Sequence, residues 1–165
     1  MGESFGTIIE FGVALAGFSA VAIALSHEPG ALAPLDRFRA LTLLNCALGA
    51  AFGASFVLVG DAFGMGEPAL WRFAGGGVLL IYAFCTAVPI LLARRMPPDD
   101  RSQLSSVLWA LSNAGNPLVA AALLANLTGL LGEPGPGPLM ASLVWLLFFS
   151  AVLFVRMLVD RPGAR

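Results

Sequence analysis

The feature that most constrains this chain is a series of five apolar segments, each about as long as a membrane-crossing helix. They run over residues 7–25, 38–60, 70–93, 104–131 and 139–159. A helix needs about 20 predominantly apolar residues to cross the hydrocarbon core of a bilayer. Clusters of Gly and Pro separate the segments, and such clusters favour turns. The sequence therefore predicts an all-α integral membrane protein: one domain, residues 1–165, folded as a bundle of five transmembrane helices.

The composition excludes the soluble alternatives. Of the 165 residues, 58% are hydrophobic and only 12% are charged, whereas an average soluble domain is about 25% charged. A short soluble chain buries too small a fraction of its surface to hide this much apolar area. The net charge of −1 provides no field that would attract nucleic acid. The expected environment is the lipid bilayer, and nucleic acid is not expected as a partner.

The arginines predict the orientation of the chain. Eight of the nine basic residues lie in the first loop, in the third loop or around the C-terminus: Arg37, Arg39, Arg94, Arg95, Arg101, Arg156, Arg161 and Arg165. Basic residues concentrate on the cytoplasmic side of a membrane. We therefore expect a bacterial inner-membrane protein with its N-terminus outside and its C-terminus in the cytoplasm. Span 1 is expected to stay uncleaved, because a signal peptide has a basic region and Glu3 stands there instead. Trp71 and Trp145 are expected near the outer headgroups.

The two halves of the chain resemble one another. Residues 19–25 in span 1 are similar to residues 86–92 in span 3, and Pro34-Leu35-Asp36-Arg37 is similar to Pro98-Asp99-Asp100-Arg101. A duplication of this kind would make spans 1–2 and 3–4 a parallel repeat of two helical hairpins. The alternative is chance similarity between apolar strings.

Small residues at helical spacing predict which helices approach one another closely. Gly12, Ala16 and Ala20 follow one face of span 1, and Gly49 and Gly53 follow one face of span 2. Small residues four apart let helix backbones pack tightly in a membrane. Spans 1, 2 and 4 are therefore expected to form the interior. Span 5 is apolar around its whole circumference and is expected to be peripheral.

Four polar residues are expected at a similar depth near the outer surface. Glu10 is about one turn inside the outer end of span 1, and Asp61, Arg72 and Asn126 lie near the outer ends of spans 2, 3 and 4. Ionisable groups within spans are costly and suggest function. The interpretation is either a vestibule for protons or cations, or a structural Glu10–Arg72 pair whose members reach the interface.

The middle of span 4 is the second candidate site. It contains Asn113, Asn116 and Pro117, and a proline removes one hydrogen bond of the helix and exposes a carbonyl. Transporters build ion and solute sites at such interruptions. Partners for that site are expected on spans 2 and 3: Asn45, Tyr82 and Thr86. The alternative is a kink whose asparagines hydrogen-bond to neighbouring helices.

No catalytic motif is present in the sequence, so neither enzymatic activity nor a cofactor is expected. Cys46 and Cys85 lie within apolar runs and are expected to be small hydrophobic residues. Two functions remain. The first is an oligomeric channel or carrier for a small ion or solute, with Glu10 at its outer mouth and Asn116 at its middle. The second is a non-catalytic accessory or assembly protein that binds partner helices, through self-association or with another membrane protein.

Overall fold

The computed structural model of the protein describes residues 2–26, 34–102, 104, 106–130 and 132–159, without the side chains of residues 25, 26, 106–109 and 111–113. Within this part every regular element is helical. The helices are α1 (Gly2–Ser26), α2 (Pro34–Ala62), α3 (Glu67–Arg94), α4 (Pro98–Ser102), α5 (Ser106–Thr128) and α6 (Pro136–Val159). The predicted all-α bundle is confirmed. The five long helices correspond to the five predicted spans, and α4 is a short additional turn between spans 3 and 4.

The lengths and hydropathies of the helices are those of an integral membrane protein. Among the described residues, α1, α2, α3 and α6 are each long and apolar enough to cross a membrane. The described apolar part of α5, Ala114–Thr128, is shorter. Within the described residues, four of the five predicted spans therefore have the length and hydropathy to cross a membrane.

Proline and glycine set the helix boundaries. α2, α4 and α6 begin at Pro34, Pro98 and Pro136, because proline needs no hydrogen-bond acceptor in the first turn and its fixed φ suits a helix start. α2 ends at Ala62, and Gly64 follows it with a φ of 68°, in the left-handed region that glycine adopts without strain. The N–H of Met65 donates to the carbonyl of Gly60 over this turn at 3.1 Å. The turn thereby directs the chain into α3.

The helix at the centre of the bundle is α2, which packs against α1, α3 and α6. Its alanines make this possible, since Ala47, Ala50 and Ala54 are completely buried. A Cβ added at Gly12 of α1 would lie 2.7 Å from the carbonyl oxygen of Ala47, and one at Gly53 would lie 2.6 Å from Cδ2 of Leu143. The small residues therefore bring helices of one protomer together.

Of the other small residues on the expected packing faces, Gly49 and Ala16 lie inside the bundle and Ala20 lies on its surface. Gly49 faces the Sγ of Cys85, and Ala16 is buried. Ala20 is exposed. The expected packing face of span 1 thus reaches Ala16 but does not include Ala20.

The position of α6 differs from the expected peripheral one. A leucine-rich face of α6 is buried, including Leu139, Leu143 and Leu146, and the hydroxyl of Ser150 donates to the carbonyl of Leu43 in α2 at 3.0 Å. The span expected in the interior, α5, packs against α3 and α6 in its described part, where no extensive contact with α2 is present. The reason is that the serines of α6 lie on one face, so this helix is less uniform than its apolar composition indicates.

The packing of the helices does not follow a two-fold repeat. If α1–α2 and α3–α5 were equivalent hairpins around an axis, α5 would pack on α1 as α2 packs on α3. Among the described residues α5 packs on α3 and α6 instead. The hairpins therefore share a sequence pattern but have different neighbours.

The two prolines within spans do not interrupt their helices. α5 continues through Pro117 and α3 continues through Pro89. Of the two effects considered for the middle of span 4, an interruption or a kink, the interruption is not seen, although Pro117 still lacks an N–H to donate.

Candidate functional site

A polar cluster around Asn116 joins three helices in the middle of the bundle. We call Tyr82, Thr86, Asn116 and Trp145 the Asn116 cluster. The hydroxyl of Tyr82 donates to Oδ1 of Asn116 at 3.1 Å, and Nε1 of Trp145 donates to the same oxygen at 3.0 Å. Nδ2 of Asn116 donates to Oγ1 of Thr86 at 3.5 Å. One amide side chain thereby links α3, α5 and α6.

Gly115 makes room for the indole ring in this cluster. A Cβ added at Gly115 would collide with the ring of Trp145, so the ring lies directly against the backbone of α5. Tyr82 is only 2% exposed, and its hydroxyl therefore depends on Asn116 as a partner. The cluster is a close fit of aromatic rings around one amide.

The chemistry of the cluster is that of a link between helices. An amide oxygen has two lone pairs, and in Asn116 both are matched by donors from Tyr82 and Trp145. An ion or solute would have to displace one of these donors to reach the oxygen. The arrangement therefore holds α5 against α3 and α6.

The expected partners of Asn116 are in part present. Tyr82 and Thr86 lie within hydrogen-bond distance of it, whereas Asn45 does not belong to the cluster. Pro117 is exposed, and the side chain of Asn113 lies outside the described residues. The sequence did not predict Trp145 as a member of the cluster, or Gly115 as the residue that makes room for its ring. Their signal was a tryptophan in the middle of a span, where its N–H needs a partner, rather than at the headgroups.

Asn45 and Cys85 form a second link, between α2 and α3. Nδ2 of Asn45 donates to the carbonyl of Cys85 at 3.5 Å, and the thiol of Cys85 donates to the carbonyl of Asn45 at 3.3 Å. Cys46 and Cys85 are both buried free thiols. The polar groups of Asn45 and Cys85 thus also form hydrogen bonds between helices.

The expected outer cluster does not assemble. Glu10, Asp61 and Arg72 are exposed, and within the described part of the chain no ion pair or hydrogen bond joins them. Asn126 is buried, and it exchanges two hydrogen bonds of 3.1 Å with the backbone of Gly135, which positions the start of α6. The described residues also contain no group of three His, Cys, Asp or Glu side chains that could hold a metal ion.

One face of α1 points away from the bundle and contains Glu10. Gly12 and Ala16 face the bundle, and Glu10 lies on the opposite side together with Ala14, Gly17 and Val21, at spacings of four, three and four residues. A Cβ added at Gly17 would meet nothing within 4 Å. We call Glu10, Ala14, Gly17 and Val21 the α1 outer face.

An apolar groove runs between α2 and α3 on the outside of the bundle. Its volume is about 580 Å³, and we call it the α2–α3 groove. Its apolar walls include Leu48, Phe52 and Val59 from α2 and Phe73, Ile81 and Phe84 from α3. Asn45, Ser55 and Cys85 also line it. The groove, the α1 outer face and the Asn116 cluster are the three features from which a function can be argued.

Comparison with known proteins adds no assignment. The chain matches no protein-family model, and it matches neither a curated protein nor a solved structure. Function therefore has to be argued from these three features.

Proposed function

We propose that the protein is a non-catalytic accessory or assembly protein of the membrane, and that its α1 outer face binds a transmembrane helix of a partner. The exposed carboxylate of Glu10 supports this proposal. Glu10 lies four residues from Ala14 at the middle of the 25-residue α1, which is about 6 Å along the axis. The hydrocarbon core extends about 15 Å on each side of its midplane. A charge at the centre of a span costs about 2.5–3.5 kcal/mol, and a partner that covers Glu10 offsets the part of this cost that applies at its depth.

The neighbours of Glu10 suit a helix as the partner. Ala14 and Gly17 are small and exposed, and small residues let a second backbone approach closely, where dispersion contacts and polar bonds hold helices together. A basic residue of the partner at the depth of Glu10 would provide the counter-charge. Intramembrane charges pair in this way.

A different membrane protein fits this face better than a second copy. A parallel two-fold dimer through the α1 outer face would place two Glu10 carboxylates at the same depth. Like charges in a medium of low dielectric repel strongly. The proposal therefore commits to a partner that carries Arg or Lys.

The channel or carrier receives less support from the geometry. Its expected lining residues, Glu10 and Asn116, lie on α1 and α5, and in the part of the chain that the structure describes these two helices have no extensive contact. The amide oxygen of Asn116 is already matched by two donors. A pore would therefore have to form between protomers, and a flux measurement decides between the two functions.

The test is photo-cross-linking from the α1 outer face in native membranes, with a benzophenone side chain at Gly17 and a control at Leu80, which is 76% exposed on α3. We expect a single protein adduct from Gly17 and none from Leu80. The adduct should be lost in Glu10→Gln and restored when Glu10→Arg is combined with an acidic substitution of the partner's basic residue. No adduct, or an adduct that is unchanged in Glu10→Gln, contradicts the proposal.

The flux measurement uses the purified protein alone in liposomes. We expect wild type, Glu10→Gln and Asn116→Ala to give the same background flux of protons and of alkali cations. A flux in wild type that both substitutions abolish would establish transport and overturn the assembly function.

For location and orientation we propose a bacterial inner membrane, with the N-terminus outside and the C-terminus in the cytoplasm. The distribution of arginines supports this proposal. It places the loop between α2 and α3 outside, and α4 with its flanking arginines inside.

A further inference from the structure

We propose that the α2–α3 groove is a lipid site that holds one acyl chain of a membrane phospholipid. The chain comes from the leaflet on the side of the loop between α2 and α3. This inference does not depend on the α1 outer face, which lies on another helix.

The position of the groove along the helices places most of it in one leaflet. On α2 its lining runs from Asn45 to Val59, and on α3 from Phe73 to Cys85. These lengths correspond to about 21 Å and about 18 Å of helix. The middle of α2 is Leu48, so the groove extends from just beyond the middle of the bundle to the α2–α3 loop. Half of a hydrocarbon core is about 15 Å thick, so the groove is accessible mainly to acyl chains of the leaflet on the side of the α2–α3 loop.

The volume and shape of the groove fit an alkyl chain better than a helix. A volume of 580 Å³ is spread along about 21 Å of helix, so the groove is long and shallow, as an extended alkyl chain requires. A helix of that length with its side chains occupies about three times this volume. An α-helix with its side chains is about 10 Å across and would rest on Phe52 and Phe84, which are 64% and 61% exposed, without entering.

The chemistry of the lining also selects hydrocarbon. The hydroxyl of Ser55 donates to the carbonyl of Ala51 at 2.9 Å, and the thiol of Cys85 donates to the carbonyl of Asn45. Because these polar groups bond within the protein, the surface that lines the groove is mainly aliphatic and aromatic carbon. The rings of Phe56 and Phe73 meet edge to face, with centroids 5.7 Å apart, towards the loop end. An empty groove would lose the dispersion contacts of these walls, and acyl chains are the molecules available at this depth.

The test fills the groove by substitution and counts retained lipid. Ser55→Trp directs a large ring into the groove, and Leu80→Trp adds the same ring on an exposed face of α3 as a matched control. Each protein is reconstituted in phosphatidylcholine vesicles, extracted in dodecyl maltoside and analysed by native mass spectrometry. We expect wild type and Leu80→Trp to retain one phospholipid. Retention in Ser55→Trp should fall about tenfold, equivalent to about 1.4 kcal/mol.

A second readout identifies the occupant in intact vesicles. A benzophenone side chain at Phe52 should form an adduct with phospholipid. Absence of retained lipid in wild type, or equal retention in Ser55→Trp, overturns the proposal. A stoichiometric adduct of residue 52 with a second copy or another protein also overturns it, since a helix would then cover the groove. Because the purified protein is used without a partner, these results do not depend on the function proposed for α1.

Discussion

At the scale of single residues, Asn116 has the largest role in the polar interior. Its amide oxygen is the common acceptor for Tyr82 and Trp145. Interhelical hydrogen bonds in membranes contribute only about 0.6 kcal/mol on average. Removing a residue that accepts two hydrogen bonds lowers the free energy of unfolding by more than this. Each buried donor that is left without an acceptor adds its own desolvation penalty.

The first prediction follows from this arrangement. Asn116→Ala should lower the free energy of unfolding by about 1–2 kcal/mol, whereas Tyr82→Phe, which removes one donor, should lower it by about 0.6 kcal/mol. Unfolding in dodecyl maltoside by titration with SDS measures both. The emission of Trp145 should also change in Asn116→Ala. If Leu118→Ala, on an exposed residue of the same helix, destabilises as strongly, the cluster is not the cause.

The second prediction concerns the space beside Gly115, which the indole ring of Trp145 fills. Gly115→Ala places a methyl group where the indole of Trp145 lies, so we expect a loss of about 1–3 kcal/mol from overpacking. Gly76→Ala is the matched control, because a Cβ there meets nothing within 4 Å and alanine favours helix by up to about 1 kcal/mol. Thermal unfolding of both variants in the same detergent makes the comparison. If Gly115→Ala and Gly76→Ala are equally stable, the ring of Trp145 does not lie against Gly115.

At the scale of elements, the contact between α1 and α2 depends on backbone approaching backbone. A Cβ at Gly12 would meet the carbonyl oxygen of Ala47, whereas a Cβ at Gly53 would meet the end of the Leu143 side chain. A side chain can rotate away, but the backbone of α2 cannot move without displacing its other neighbours. Two glycines that look equivalent in sequence should therefore respond differently to the same substitution.

The third prediction compares these two glycines. We expect Gly12→Ala to destabilise by about 1–3 kcal/mol, and Gly53→Ala to cost less since Leu143 can adjust. Gly17→Ala, on the open face of α1, should be neutral or stabilising. SDS titration of the three variants gives the order. A Gly53→Ala protein less stable than Gly12→Ala would contradict the backbone argument.

The elements themselves could be read from the sequence with good accuracy. Segment 139–159 became Pro136–Val159, and segment 70–93 became Glu67–Arg94. The length of each apolar run and the prolines at helix starts are local properties, so they determine helices without knowledge of neighbours. Of the two effects considered for Pro117, an interruption of the helix is not seen, because a helix held by neighbouring helices tolerates one missing hydrogen bond.

At the scale of the whole molecule, the orientation is the fourth prediction. Alkaline phosphatase needs disulfides and folds only outside the cytoplasm. Fused after Gly64, in the α2–α3 loop, it should be active, whereas fused after Met96 it should be inactive. Green fluorescent protein at the C-terminus should fluoresce. The reverse pattern of activities would show that the arginines do not set the orientation.

The packing arrangement of the helices was the feature that the sequence predicted least well. Span 5 was expected at the periphery, yet Ser142 and Ser150 are completely buried and Ser150 bonds to α2. Both serines were visible in the sequence, but in an all-apolar helix the sequence does not show which face meets protein and which meets lipid. Lipid is as apolar as leucine, so burial in a membrane leaves no strong pattern of hydrophobicity.

By itself the sequence determined that this chain forms helices long and apolar enough to span a membrane, and the approximate bounds of each helix. These follow from local hydrophobicity, proline and glycine. Only the tertiary structure decided that α2 is central, that Trp145 binds Asn116, that Glu10 faces outward and that a groove separates α2 from α3. Those features depend on the angle at which each helix presents its faces. That angle is set by close packing between distant segments and by the few hydrogen bonds that join them.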